Sequence, residues 1–349
     1  MGQFESYSRF MRLRATKSTA AALPYQVATG REIRSSDTLR VEGKGGMFAE
    51  GCRMARGFTR AVVASVRFLD GSVEGGPAAF TVINRDGWFL TAMHVLGPMF
   101  AWQEHQPALD DYNMRAAAIV ADAKLDARKK KKQRDRLHPN PKWVTNYSFA
   151  WMAANDGSSI DTPVTFKLFP ELDLAVGRLV PFDPSWIETY PKFGTPGTLE
   201  IGSSLCRLGF PFNSLSCGWD ADAGKFSLTG SGICFFPNEG IYARNFVEQW
   251  APQGNPAMFY ETSSPGLLGQ SGGPLFDRQG TIWGIQSHTA HLPLHFKSRL
   301  PVGDGKTAEV HQFLNVGRAV PVDNILPVLE AEGIAFEIAE GAGGVGGGI

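Results

Sequence analysis

Within this 349-residue chain, a serine flanked by glycines in Gly269-Gln270-Ser271-Gly272-Gly273-Pro274 has the surroundings a nucleophile needs. A hydroxyl attacks poorly unless a base removes its proton as the new bond forms. Two other segments carry suitable partners. His94 ends Leu90-Thr91-Ala92-Met93-His94-Val95, and Asp173 opens Leu172-Asp173-Leu174-Ala175-Val176. Taken singly, His94 is a core histidine, Asp173 a turn residue at a strand start and Ser271 part of a Gly-rich turn. None of those readings explains the three together in this order.

The elements around them read as short strands. Val62–Phe68, Gly76–Ile83 and Gly87–Thr91 are β-type runs with turn signals at Asp70-Gly71, Gly75-Gly76 and Asp86-Gly87. Further runs are expected at Val164–Leu168, Leu174–Leu179, Ser204–Phe210, Gly232–Phe236, Ala257–Glu261 and Thr281–Ile285. Forty Gly, 22 Pro and 24 Phe also favour many short strands over a helical bundle. The expectation is an all-β fold with small helical insertions. An Ala/Lys/Arg-rich stretch, about 113–137, reads as a helix, and Val322–Glu332 as a closing helix. Residues 1–55 read as an N-terminal extension and 336–349 as a Gly-rich tail or linker.

The formal net charge is zero, so overall charge points to neither nucleic acid nor a membrane. The run Arg128-Lys129-Lys130-Lys131-Lys132-Gln133-Arg134 is read as a solvated helix rather than a dock for nucleic acid, anionic lipid or an acidic partner. No segment has the apolar length to span a bilayer. The N-terminus lacks the pattern of a secretory signal, and its match to Met-Gly-x-x-x-Ser is ascribed to chance. Cys52, Cys206, Cys217 and Cys234 form no C-x-x-C pair and are expected as free thiols. A cytoplasmic protein without metal or cofactor is therefore expected.

The three segments resemble the T-A-x-H, D-[IL]-A and G-x-S-G-G-P motifs of the trypsin/chymotrypsin superfamily, in that order, over about residues 57–330. The resemblance implies two antiparallel six-stranded β-barrels of the chymotrypsin type, about 56–185 and 195–325, within a domain of about 56–335 and with the active site between them. It implies His94 as general base, Asp173 as its orienting carboxylate and Ser271 as nucleophile. The N–H groups of Gly269 and Ser271 would form an oxyanion hole, each such donor contributing about 3–4 kcal/mol. Gly284-Ile285-Gln286-Ser287-His288-Thr289 resembles the family's G-[IV]-x-S-W-G strand. Ser287 would then support Asp173, and the backbone of Ser287, His288 and Thr289 would pair with a peptide substrate.

Gly269–Gly273 also fits the G-x-S-x-G elbow of α/β-hydrolases. That fold needs a helix after the serine and the order Ser, acid, His. Gly272-Gly273-Pro274 is a poor helix start, and no βαβ pattern surrounds the late histidines, so the elbow is rejected.

Digestive members of the superfamily are activated when a new N-terminus pairs with an Asp beside the nucleophile. Gln270 stands there, which removes that ion pair. In this the chain is similar to the intracellular and periplasmic high-temperature-requirement branch, and so are Leu205–Pro211 and Gly317–Val322. That similarity implies control by loop ordering or by a regulatory protein partner. The specificity pocket would have Pro265 at its base and Thr289 on its wall, favouring a small or medium uncharged side chain before the scissile bond. The expected activity is serine endopeptidase cleavage of protein or peptide substrates. The alternatives are a protease-like binding or regulatory module with little or no catalysis, and an effector whose extension, insert or tail recruits a substrate.

Overall fold

The computed structural model describes residues 46–152, 159–160, 164–230, 233–248, 257–301 and 307–340. The first 45 residues and 341–349, where most of the expected extension and tail lie, fall outside them. Helix α1 (Ala49–Phe58) leads directly into β1 (Thr59–Phe68). It buries Gly51, Ala55, Gly57 and Phe58, so the last part of the expected extension is a packed helix. Then come β2 (Val73–Val82), β3 (Trp88–Ala92), α2 (Gly97–Ala121), α3 (Ala127–Asp135), β4 (Val144–Met152), β5 (Ser159–Ile160), β6 (Val164–Phe169) and β7 (Leu174–Leu179).

These strands form one sheet in the order β5-β4-β1-β2-β3-β7-β6. Asp70-Gly71 makes the β1–β2 turn, with Gly71 at φ 82° and Ser72 N–H donating to Asp70 Oδ1 at 2.8 Å. Gly75-Gly76 is no turn, because both residues lie inside β2, opposite Ser65 and Ala64. Inside the sheet Phe80 and Phe89 stack at 4.2 Å and continue into a buried apolar cluster.

The second half holds β8 (Lys192–Phe193), β9 (Ser204–Arg207), the β10 (Ser216–Asp220)–β11 (Lys225–Thr229) hairpin, β12 (Asn238–Glu248), β13 (Ala257–Thr262), β14 (Pro274–Phe276), β15 (Ile282–Pro301), β16 (Thr307–Pro321), α4 (Val322–Ala331) and β17 (Glu337–Ile338). Its sheet runs β14-β9-β12-β13-β16-β15-β8-β17, and β14 also pairs with β15. That pairing closes β9, β12, β13, β16, β15 and β14 into a ring, with β8 and β17 added outside.

The mostly-β, chymotrypsin-like architecture is thus as expected, with one difference in strand count, in the first sheet. The second barrel closes with six strands. The first sheet has seven, and its edge strands β5 and β6 do not pair among the described residues.

Other departures have local causes. The insert helix begins at Gly97, not near 113, because Pro98 occupies its first turn, where proline is tolerated. Helix α2 packs on β4 through a Trp102–Tyr147 contact and on the residue before that strand through Tyr112–Trp143. The basic run lies on α3, which is capped by Asp126 and buries no residue. Ile233–Phe236 is not a strand, whereas Asn238–Glu248 is. Glu337 and Ile338, assigned above to the tail, pair with Lys192 and Phe193. The four cysteines are free thiols.

Candidate active site

Strand pairing brings His94 to Asp173. Strands β3 and β7 run antiparallel with Ala92 opposite Leu174. The turn after Ala92 (Met93–Leu96) is therefore level with the residue before Leu174, and Met93 N–H donates to Asp173 O at 2.9 Å. Asp173 takes a left-handed conformation, φ 50° and ψ 38°, after the Pro170–Leu172 turn. Asp tolerates that region better than most side chains. Its carboxylate then faces His94, with His94 N–H on Oδ1 at 3.0 Å and His94 Nδ1 on Oδ2 at 2.8 Å. Ser287 Oγ donates to the same Oδ2 at 2.5 Å.

The loop carrying Ser271 is shaped by two glycines at positive φ, Gly269 at 99° and Gly272 at 83°. A Cβ on Gly272 would lie 2.1 Å from Ala79 O and 2.3 Å from Thr91 Oγ1, so only glycine lets the loop press on the first sheet. That contact is hydrogen-bonded: Ala79 N–H donates to Ser271 O at 2.8 Å and Thr81 Oγ to Gly272 O at 3.0 Å. Gly272 N–H donates in turn to Gln286 O at 2.8 Å. Ser271 Oγ lies 2.9 Å from His94 Nε2 and 3.3 Å from Ser287 O.

Charge assigns the protons. Burial disfavours the imidazolium, but the Asp173 carboxylate outweighs it and holds the His94 pKa above the ordinary histidine value. Burial would likewise raise Asp173. The His94 charge and the hydrogen bonds from His94 and Ser287 outweigh it and keep the carboxyl below its usual range. An ionised Asp173 can only accept, so neutral His94 carries its proton on Nδ1 and leaves Nε2 free to accept from Ser271. His288 is pushed down to about 4, chiefly by burial, and is neutral near pH 7. Its Nδ1 lies 2.9 Å from Ser287 Oγ, whose own proton is committed to Asp173.

Neither Gly269 N–H nor Ser271 N–H donates to an acceptor among the described residues. Gln270, between them, is fully buried. Its Oε1 accepts from Leu267 N–H at 2.9 Å and its Nε2 donates to Phe236 O at 3.2 Å, bracing the loop where an ion pair had been excluded on sequence grounds. Among the described residues no His/Cys/Asp/Glu cluster could hold a metal.

The remaining expected residues lie around this loop. Strand β14 pairs with β15 only as far as Ile285. His288 and Thr289 pair with β16 on one edge, and among the described residues the other edge at Ser287–Thr289 has no strand partner. Thr289 Oγ donates to Gly266 O at 2.6 Å, and Pro265 O accepts from Asn238 Nδ2 at 2.6 Å.

Two residues here were not foreseen as site residues. Gln286 and Arg207 are buried behind the Ser264–Gly266 segment, with Arg207 Nε on Gln286 Oε1 at 2.6 Å. The available signal was a charge inside the otherwise apolar run Leu205-Cys206-Arg207-Leu208.

Residues 80–285 match the trypsin-like peptidase domain. Among solved structures, the HtrA-type protease AlgW with tripeptide is 16% identical, with a TM-score of 0.43 and coverage of 81% of this chain and 62% of that chain. AlgW with decapeptide is 14% identical, with a TM-score of 0.44 and coverage of 81% and 66%. This chain thus spans less than two thirds of the length of either solved chain. A search of curated proteins finds no match.

Proposed function

The chain belongs to the trypsin-like peptidase domain family, and from that premise we propose that it is a serine endopeptidase that uses Ser271, His94 and Asp173. The observation that carries this reading is the unbroken hydrogen-bonded path from Asp173 Oδ2 through His94 to Ser271 Oγ, at 2.8 and 2.9 Å.

Ser271 Oγ attacks the scissile carbonyl carbon while its proton passes to His94 Nε2. Asp173 stabilises the imidazolium that results. The carbonyl oxygen gains negative charge and is met by the N–H groups of Gly269 and Ser271. As the intermediate collapses, His94 returns the proton to the departing amine, leaving an acyl-enzyme on Ser271. Water, deprotonated by His94, then attacks that ester; the bond to Ser271 Oγ breaks, His94 returns the proton to Ser271 Oγ, and the new C-terminus leaves. Substrate adds as a strand along the open edge at Ser287–Thr289, which aligns the scissile bond with Ser271 Oγ.

Regulation through ordering of the Leu267–Ser271 loop, by a partner or by assembly, is part of the same proposal. So is a cytoplasmic location, which fractionation of cells expressing the full chain checks. Cleavage is tested on an unfolded protein with new N-termini mapped. Cuts made by the native chain and absent with Ser271→Ala support the proposal. Cuts retained by Ser271→Ala contradict it.

A further inference from the structure

Arg207 is an anomaly in this molecule. It is fully buried at the end of β9, yet no carboxylate among the described residues pairs with it. Its Nε donates to Gln286 Oε1 at 2.6 Å and its Nη1 to Ser264 Oγ at 2.8 Å, both neutral partners. Its Nη2 is buried and finds no acceptor among the described residues. Burial pulls the guanidinium down to about 10, which still leaves it charged near neutral pH. A buried cation without a counter-charge is strongly destabilising, and a buried donor left unmet in a native fold calls for a reason.

The position of the guanidinium supplies one. A Cβ built on Gly317 would lie 2.4 Å from Arg207 Nη2, and one on Gly266 would lie 2.3 Å from Gln286 Nε2. Gly317 is paired with Thr289, and its N–H donates to Ser264 O at 2.8 Å. Thr289 Oγ donates across to Gly266 O. Ser264–Gly266 and the Thr289–Gly317 pair thus face each other across direct hydrogen bonds, with the fully buried Arg207 guanidinium behind them. Both segments continue into the site, one through the loop to Ser271 and the other through Ser287, whose carbonyl oxygen lies 3.3 Å from Ser271 Oγ.

We propose that Arg207 is the specificity-determining residue of this cleft, and that the side chain it selects before the scissile bond is acidic, Asp or Glu. This rests on the protease reading above and revises the expectation of an uncharged side chain. Pro265 carries no charge, but the pocket receives one from a strand almost sixty residues earlier. A substrate carboxylate supplies the missing counter-charge, and in a desolvated pocket that attraction is far stronger than in water. The same charge repels Lys and Arg, so the pocket discriminates by exclusion as well as by attraction.

The test uses fluorogenic peptides that differ only in Glu versus Gln, or Asp versus Asn, before the cleaved bond. It also uses product-like peptides ending in Glu or Gln, titrated by fluorescence anisotropy against the full-length Ser271→Ala protein. We expect the acid to exceed its amide by about tenfold or more in kcat/KM and in affinity. Arg207→Met should bring both ratios to about one, and Arg207→Lys should keep their direction. Should Arg207→Met fail to fold, the Glu/Gln and Asp/Asn ratios of the native protein still decide. Cleavage without acid preference overturns the inference and leaves the protease reading standing. No cleavage, but acid-selective binding by Ser271→Ala, overturns the protease reading and keeps the pocket. Absence of both overturns the inference.

Discussion

Asp173 grips His94 twice, through the backbone N–H at 3.0 Å and through ring Nδ1 at 2.8 Å. The first contact fixes where the residue sits and the second fixes how its ring is turned and protonated. Both follow from the β3–β7 register that sets Ala92 against Leu174.

The carboxylate raises the His94 pKa against the opposing effect of burial. His94 must be neutral to accept the Ser271 proton, so activity is present above the His94 pKa and lost as pH falls through it. The acid limb of kcat/KM should therefore have its midpoint above about 6.5. Asp173→Asn should lower kcat by about 10⁴-fold, because the imidazole loses its orienting acceptor. It should also move the acid limb to lower pH, because the imidazolium loses its counter-charge. A pH–rate profile of each protein checks both statements, and an acid limb left in place by Asp173→Asn counts against them.

Gly272→Ala should destabilise the fold by about 3 kcal/mol or more, combining a left-handed backbone with a clash in a packed interface. The obstructing atoms include Ala79 O, a backbone atom that no rotamer change can move away. Urea unfolding of the variant measures this. A loss below about 1 kcal/mol would mean that the loop can lift from the first sheet.

The juxtaposition of His94, Asp173 and Ser271 was legible in the sequence because each motif sits at a strand end, where side-chain type and turn chemistry are tightly constrained. His94, Asp173 and Ser271 carry such local signatures. Arg207 and Gln286 do not, since their meaning arises only when β9 and β15 meet through β14 across the barrel. Long-range pairing also hid part of the fold. Strand β4 has mixed polar and aromatic composition and gains its place by covering β1 and α2. Beyond Ile285, β15 continues as a hairpin with β16 whose apolar residues, such as Phe296 and Phe313, are exposed, so no inward–outward alternation marks it. In α2, Pro107 lies inside the helix and masks its continuity.

Gln270 braces the loop with neutral hydrogen bonds where digestive relatives use an ion pair. Gln270→Ala leaves Leu267 N–H and Phe236 C=O without their partner, at a cost of about 1–3 kcal/mol. If the loop then relaxes, the Gly269 N–H leaves the oxyanion-binding position proposed for it, and kcat should fall by about 10²-fold. Matched unfolding and kinetic measurements check this. Full activity in the variant would show that the loop is held by other contacts.

The account rests on an activated Ser271 hydroxyl, which a fluorophosphonate probe reports without any knowledge of substrate. Intact-mass measurement after labelling the full-length protein should show one adduct on Ser271, absent in Ser271→Ala and lost or greatly slowed in His94→Ala. A folded native protein that stays unlabelled, or one labelled equally after Ser271→Ala, would contradict it.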